Sequence, residues 1–335
     1  MEKTWGILMH LGYNLAGDKK EQKVLAFDKE VWDKVVAKCV EAGLNTIVLD
    51  LLEGIRYDSH PELGAEGAWM PAEATAEVRR LREMGIRLIP KLNFSSMHSV
   101  WLGKYARMIS TPEYYQVCKD LIKEVYEMFE HPDYIHIGMD EENWKHVDDP
   151  GYTFICLRRD ELFFHDLNYL ADCVKETGAK CHIWHDAFST YGDAAYENIS
   201  KDIIPETWMY YSYLKKHWHK ISEQSQEVID FYATRFVRRY GYTIEYVEES
   251  PSVIDVMKQQ KRFIEEGRHF LIATSNLYTK TCEADAVEYI KEICPELSLI
   301  EGFVTTTWSQ TVKDKEELIL EAVELMGKAR QKWYK

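Results

Sequence analysis

Three consecutive acids, Asp140, Glu141 and Glu142, follow a short apolar run near the middle of the sequence. Carboxylates crowded at the end of a strand repel one another, and burial raises the pKa of some relative to others. Two carboxyl groups with different pKa values are what general acid/base chemistry requires. The alternative is a solvated acidic loop without a chemical role, which is the commoner fate of an acidic run. The rest of the chain favours the first interpretation.

The run before the acids has the alternation of a barrel strand. With a period of two, Ile135, Ile137 and Met139 share one face, and the polar residues between them share the other. The apolar face is expected to pack on an outer helix and the polar face to look into a barrel. Strict alternation would point Glu141 away from Asp140. Glu141 can therefore reach the same cavity only if the strand breaks and the chain turns inward.

Strand-like runs alternate with helical patterns along the whole chain. Asp28 and Gly43 are suited to begin and end the first helix, and Thr111 with Pro112 is suited to begin a later one. Eight strand–helix units without a Pro/Gly-rich linker predict an α/β fold, a single (β/α)8 TIM barrel with an insertion between strands six and seven. A doubly wound sheet is disfavoured because no glycine-rich turn follows the first strand. One catalytic domain is expected over residues 1–335, with no accessory domain, and the insertion, 214–250, is expected to be mostly helical.

The composition excludes several functional classes. The net charge is −15 without a basic tract, so neither nucleic acid nor an anionic membrane is an expected partner. No segment is apolar enough for a membrane span and no secretory signal is visible, so a cytoplasmic location is expected. The seven cysteines show no C-x-x-C spacing, which predicts buried, reduced thiols and neither a metal site nor a cofactor.

Acids, imidazoles and aromatic rings gather at the predicted C-terminal ends of the strands, where TIM-barrel enzymes hold their active sites. Indole faces cover the apolar side of a sugar ring, while carboxylates and amides bind its hydroxyls, so a carbohydrate is the expected ligand. For the histidines and tryptophans, structural packing is the alternative. The candidate substrate-binding residues are His10, Asp50, Asn93, His98, His136, Trp184, Asp186, Trp208, Tyr210, Trp308 and Gln310.

The arrangement of these residues resembles a known family, the family-20 glycoside hydrolases, or β-N-acetylhexosaminidases. The central strand of that family carries H-x-G-G-D-E, to which the run from His136 to Glu141 is similar. Met139 stands for the second glycine, Gln310 stands for a closing Glu, and the Arg usual at the first strand end is not seen. Further motifs of the family are matched in order by Pro90 to Asn93 with His98, by Trp184 to Asp186, by Trp208 and by Trp308 to Gln310.

The resemblance implies a substrate-assisted retaining mechanism. In it, the 2-acetamido oxygen of the sugar attacks C1, and Glu141 protonates the leaving oxygen. Asp140 binds the acetamido N–H and stabilises the oxazolinium intermediate, after which Glu141 activates water. The family also places a tyrosine on the acetamido oxygen, for which Tyr278 is the candidate and Tyr210 or Tyr211 the alternative. Glu142, for which the resemblance implies no role, is expected to be solvated or to point outward.

Two other functions stay open at this point. A catalytically silent carbohydrate-binding barrel would be consistent with the missing Arg and the Gln310 replacement. A metal-dependent barrel hydrolase or isomerase is the other possibility, although the first strand lacks the H-x-H that such enzymes carry. Its candidate ligands would be His10, His182, His185, Asp186 and Glu141. A two-glutamate retaining glycosidase is disfavoured because the predicted seventh strand ends without an acid.

Overall fold

The computed structural model describes residues 2–13, 22–142, 157–210, 251–277 and 279–335, without the side chains of residues 251–255. Eight parallel strands close into a barrel in chain order, and the last pairs with the first. The predicted (β/α)8 barrel is confirmed. The strands are β1 Thr4–His10, β2 Thr46–Asp50, β3 Arg87–Lys91, β4 Tyr134–His136, β5 Lys180–Trp184, β6 Ile204–Trp208, β7 Phe270–Thr274 and β8 Ile300–Thr306.

Helices connect the strands and cover the outside of the barrel. The Asp28 side chain accepts hydrogen bonds from two backbone N–H groups of the first helix, and Gly43 ends that helix at φ 74°. Thr111 caps α3 in the same way, so these predicted helix ends are confirmed. The described helices are α1 Lys29–Ala42, α2 Pro71–Glu83, α3 Pro112–Met128, α4 Asp160–Thr177, α5 Asp186–Tyr191, α6 Asp193–Asn198, α7 Pro251–Glu265, α8 Cys282–Ile293 and α9 Glu316–Trp333.

The longest connection joins β6 to β7, where the sequence predicts the insertion. It contains α7 in its last part, and the expected helical run 214–250 lies outside the described residues. The sequence pattern predicts a sixth strand from Ile203 to Tyr213. The strand ends at Trp208, so Tyr210 follows it. Among the described parts of the chain, no helix is long and apolar enough to cross a membrane. The six cysteines that are described are buried and unpaired with one another, as predicted.

The barrel interior has an apolar layer beneath a polar one. Leu8, Val48 and Ile89 belong to the buried cluster inside the barrel. Two residues further along the same strands stand His10, Asp50 and Lys91 on the same face, because side chains alternate along a strand. The polar layer therefore lies one step nearer the C-terminal ends of the strands. Outward-facing residues such as Ile7, Ile47, Ile135, Ile183 and Ile272 pack in the separate cluster under the helices.

Candidate active site

The chain breaks out of strand geometry directly after β4. Gly138, Met139 and Glu141 all have positive φ, at 74°, 66° and 58°. A side chain at Gly138 is impossible without rearrangement, since a Cβ there would lie 2.1 Å from Oδ1 of Asn93. Met139 tolerates this conformation while its side chain is almost fully buried, although a left-handed non-glycine residue costs about 1–2 kcal/mol. The break thus begins before Glu141, and it rotates both acids toward the barrel mouth.

His98 lies between the two acids. Its Nε2 atom is 3.0 Å from Oε2 of Glu141 and 3.2 Å from Oδ2 of Asp140. Nδ2 of Asn93 donates to the other oxygen of Asp140 at 3.0 Å. The Asp140 side chain is 7% exposed and the Glu141 side chain 36%. Asp140 is therefore a fixed, buried carboxylate, while Glu141 stands at the open side of the same cluster.

The electrostatic environment shifts the pKa values of Asp140 and His98 in opposite directions. Burial alone would raise the pKa of Asp140, but the charge and hydrogen bond of His98 lower that pKa below its ordinary value. Burial alone would lower the pKa of His98, yet the charge and hydrogen bond of Asp140, followed by those of Glu141, raise it to about 10. At neutral pH the site consequently holds an anionic Asp140 beside a cationic His98.

Two further contacts hold the turn that carries the acids. Asp186 begins α5, and its Oδ2 accepts the backbone N–H of Glu141 at 2.6 Å. The Ser95 hydroxyl donates to the backbone carbonyl of Asp140. Burial and then the nearby charge of Asp140 raise the pKa of Asp186 well above its ordinary value. Asp186, a candidate substrate-binding residue, thus binds the backbone beside the acid.

The polar layer beneath the mouth contains two groups of charges. Nζ of Lys91 lies 2.6 Å from Oδ2 of Asp50, and Nδ1 of His10 lies 3.4 Å from the same oxygen. Burial alone would raise the pKa of Asp50, but Lys91 and His10 lower it. Asp50 is fully buried. This residue, which was predicted to bind the sugar, therefore lies in an internal ion pair. Lys91 was missed by sequence reasoning, although it shares a strand face with Asn93.

His136 and Glu206 form the second group. The backbone N–H of Gly138 donates to Nδ1 of His136 at 3.0 Å, and Nε2 of His136 is 3.5 Å from a carboxylate oxygen of Glu206. Burial raises the pKa of Glu206 to about 8 against the opposing charge of Lys91. His136 is completely buried, as the structural interpretation of this histidine expects. Glu206 was also missed, although it shares a strand face with Trp208 on β6.

Aromatic rings form one wall of the mouth. The Trp184 ring centroid lies 5.7 Å from that of Trp208 and 5.6 Å from that of Trp308. Tyr210 stacks on Trp208 at 6.2 Å with 23° between the planes. The indole N–H of the buried Trp184 has no hydrogen-bond partner among the described residues. The three tryptophans predicted from three different strands are thus brought into one cluster with Tyr210.

Of the remaining predicted residues, Gln310 and His10 are described by the structure, whereas two tyrosines are not. Nε2 of Gln310 donates to the side-chain carbonyl of Gln22 at 2.9 Å, so this amide is held by a neighbour from the loop after β1. His10 packs edge-on against Tyr13, whose hydroxyl donates to the backbone carbonyl of Trp308 at 2.7 Å. Tyr278, the candidate for the acetamido oxygen, and Tyr211 lie outside the described residues.

The expectation for Glu142 is wrong. Its side chain is 2% exposed and forms an ion pair with Arg158, which is fully buried. The backbone N–H of Ser96 donates to Oε1 of Glu142 at 2.8 Å. The error has a physical reason: an acid following two others in sequence was assumed to be hydrated, but the break after β4 turns it inward toward a distant arginine that sequence spacing does not reveal.

One group of side chains could also hold a cation. Nε2 of His98 and single oxygens of Asp140 and Glu141 lie within 4.8 Å of one another, the one such cluster among the described residues. A ligating imidazole must be unprotonated. The pKa of His98 is raised to about 10, so a cation would bind here in competition with the proton on this nitrogen.

The sequence matches one known protein family over most of its length. The family model described as glycosyl hydrolase family 20, catalytic domain, matches residues 67–319. The chain belongs to glycosyl hydrolase family 20. The matched range includes β3 to β8 and hence the whole acid cluster and aromatic wall. The resemblance inferred from the strand-end motifs is confirmed. A search of curated protein sequences finds no significant match.

Solved structures share the fold of this family-20 chain. The Streptomyces plicatus N-acetyl-β-hexosaminidase, solved with Thio-NAglucal, matches with TM-score 0.60 and 12% identity over 97% of this chain and 64% of its own. The Vibrio harveyi exo-β-N-acetylglucosaminidase, solved with N-acetylglucosamine, matches with TM-score 0.59 and 14% identity over 99% and 57%. The Bacteroides fragilis β-N-acetylhexosaminidase matches with TM-score 0.58 and 15% identity over 97% and 66%. The chain thus spans less than two thirds of the length of these proteins.

Proposed function

We propose that this family-20 protein is a β-N-acetylhexosaminidase that releases β-linked N-acetylglucosamine or N-acetylgalactosamine. The observation that carries the proposal is the position of His98, within 3.2 Å of carboxylate oxygens from both Asp140 and Glu141. Two acids that are consecutive in the chain therefore contact the same imidazole. The proposal is further supported by structural relatives that were solved with N-acetylglucosamine or a related ligand.

The proposed reaction is substrate-assisted and retaining. The acetamido oxygen forms a bond to C1 as the glycosidic bond breaks, and Glu141 transfers its proton to the leaving oxygen. Asp140 accepts the acetamido N–H and stays anionic opposite the positive oxazolinium. Glu141 then takes a proton from water as the water oxygen bonds to C1, which opens the oxazolinium and restores the acid. Trp184, Trp208 and Trp308 would enclose the acetamido group and sugar ring.

Four polar residues complete the proposed sugar site. Asn93 and His98 hold the carboxylate of Asp140, Asp186 holds the backbone of Glu141, and Gln310 stands beside Trp308 at the mouth. The predicted sugar ligands His10, Asp50 and His136 lie in the polar layer beneath the mouth. Their burial prevents direct contact with a sugar in this conformation. Tyr278 remains the proposed donor to the acetamido oxygen, with Tyr210 or Tyr211 as the alternative.

The test compares substrates that differ in a single group. Aryl N-acetyl-β-glucosaminide and galactosaminide are incubated beside the matching glucoside and galactoside, with and without chelator. We expect cleavage of the acetamido sugars alone, unaffected by chelator, and a loss of about 10²–10⁴-fold in Glu141→Gln because general acid/base catalysis is removed. The surface variant Glu130→Gln is the control and keeps its activity.

Each other outcome contradicts the proposal in a different way. Equal cleavage of sugars without the acetamido group would exclude substrate assistance. Activity that disappears with chelator would assign the His98–Asp140–Glu141 cluster to a metal. Binding of N-acetylglucosamine without turnover of any substrate would indicate a carbohydrate-binding barrel.

A further inference from the structure

A buried ion-pair network stands directly behind the proposed catalytic acids. Nε of Arg158 donates to both carboxylate oxygens of Glu142, at 3.1 and 3.0 Å, and Nη2 donates to one of them as well. Nη2 also donates to the carbonyl of Phe94 at 2.6 Å, and Nη1 to Asp166 at 3.3 Å. All three guanidinium nitrogens are thus engaged, in the forked geometry that arginine offers to carboxylates.

The far side of this network is anchored to two helices. Asp166 belongs to α4 and accepts hydrogen bonds from the Ser110 hydroxyl at 2.7 Å and the Tyr115 hydroxyl at 2.5 Å. Tyr115 belongs to α3. Burial alone would raise the pKa of Asp166, but the Arg158 charge lowers it, so the carboxylate stays ionised. Arg158 is therefore held from the helix layer outside the barrel.

Glu142, at the other end of the network, contacts both chain segments that form the acid cluster. Glu142 is the neighbour of Glu141 in the chain, and its Oε1 accepts the backbone N–H of Ser96 at 2.8 Å. Ser96 begins the short 3-10 turn Ser96–His98, whose last residue contacts Glu141 at 3.0 Å. One carboxylate consequently links the segment that carries His98 to the segment that carries Glu141. If Glu142 moves, the distance between those two side chains changes.

We propose that Glu142 and Arg158 are positioning residues, which hold Glu141 in its left-handed backbone conformation and at contact distance from His98. This inference rests on the proposed function, since it assigns the network to the acid/base step. A buried pair maintained only for stability would affect all substrates equally. A positioning pair affects most the reactions that depend on proton transfer from Glu141.

The variants are Glu142→Gln, which keeps the shape but removes the charge, and Arg158→Lys, which keeps the charge but removes the fork. Glu77→Gln is the matched control. Glu77 is a nearly buried acid between α1 and α2 that accepts from Trp32 at 2.5 Å and from Nε of Arg80 at 3.0 Å, away from the barrel mouth. Circular dichroism and thermal unfolding establish that each variant is folded. If Glu142→Gln does not fold, Arg158→Lys carries the test.

The kinetic readout is sensitivity to the leaving group. A 2,4-dinitrophenyl N-acetyl-β-glucosaminide needs little protonation of its leaving oxygen, whereas the 4-methoxyphenyl glycoside needs a well-placed acid. In both variants we expect kcat for the methoxyphenyl substrate to fall at least about tenfold more than kcat for the dinitrophenyl substrate, with KM nearly unchanged. In the Glu77→Gln control, kcat should not fall more on one of these substrates than on the other. Equal losses on both substrates would overturn the positioning role.

A second readout does not depend on turnover. The titration of His98 is followed by NMR in histidine-labelled protein, with the His98 signal assigned by its absence in His98→Gln. Loss of contact with Glu141 should lower the pKa of His98 in both network variants and leave it unchanged in Glu77→Gln. If the unmodified protein cleaves no acetamido sugar, the proposed function fails while this titration still decides the positioning claim. An unchanged titration in both network variants would reject it.

Discussion

Replacing His98 by glutamine should weaken the protein most at slightly acidic pH. Burial opposes the charge on this imidazole, but Asp140 and then Glu141 raise its pKa from 6.5 to about 10. A group whose pKa is raised in the folded state stabilises that state fully below its unfolded pKa. This stabilisation is lost as the pH rises through the folded pKa. The loss should therefore occur between the ordinary pKa of histidine and the raised pKa of His98.

The magnitude follows from about 1.4 kcal/mol for each unit of pKa difference. The contribution that His98 makes through its proton is about 5 kcal/mol near pH ~5.5, about 3 kcal/mol near pH ~7.5 and about 1 kcal/mol near pH ~9.5. Glutamine has no titrating proton and cannot supply the positive charge. The difference in unfolding free energy between the two proteins should therefore shrink by about 4 kcal/mol across this range.

Urea unfolding at these three pH values measures the difference directly. Groups that titrate identically in both proteins cancel when the two curves are subtracted. His131→Gln is the control: its side chain is 61% exposed beside Glu127, so its effect should stay within about 0.5 kcal/mol at every pH. A stability difference for His98→Gln that is constant with pH, or that grows toward alkaline pH, would refute the assignment of a proton to His98.

Three other substitutions test the turn and the charged layer. Gly138→Ala should cost about 1–3 kcal/mol or more, from backbone strain plus a clash, whereas Gly85→Ala, at a similar φ with nothing near its Cβ, should show the strain alone in thermal unfolding. Met139→Gly relieves about 1 kcal/mol of strain but loses a buried side chain worth about 2–5 kcal/mol, so urea unfolding should show a net loss. Lys91→Met should cost about 3–5 kcal/mol by leaving the buried Asp50 carboxylate without its lysine partner, and a further Asp50→Asn change should recover most of that loss.

The barrel was predictable because its signals are local and repeated. The N-cap Asp28 with the closing Gly43, and Thr111 before Pro112, follow from backbone hydrogen bonding within a few residues, and the structure confirms these ends. The alternation of apolar and polar residues was equally informative on the strands. The boundaries were less accurate where a strand ends at the site, as at β4 and β6, because the site requires the regular geometry to stop.

The candidate site was predictable only in part, because its partners come from distant parts of the chain. The two acids and three tryptophans could be placed at strand ends, since strand order alone brings such residues to one mouth. Lys91, Glu206 and Arg158 were missed because their roles depend on what faces them across the barrel or behind it. Glu206 meets His136 from two strands away, and no spacing in the sequence encodes that contact.

The departure at Met139 and the buried Glu142 have a common explanation in Arg158. A glycine at position 139 would adopt the left-handed conformation freely, whereas methionine needs compensation from packing. Nη2 of Arg158 lies 3.6 Å from the Met139 sulfur while the same guanidinium holds Glu142. One buried cation therefore contacts the residues on both sides of Asp140 and Glu141. The turn that carries both acids is thus stabilised by the contacts of Arg158 with Met139 and Glu142. A second glycine would instead adopt the same backbone conformation without such contacts.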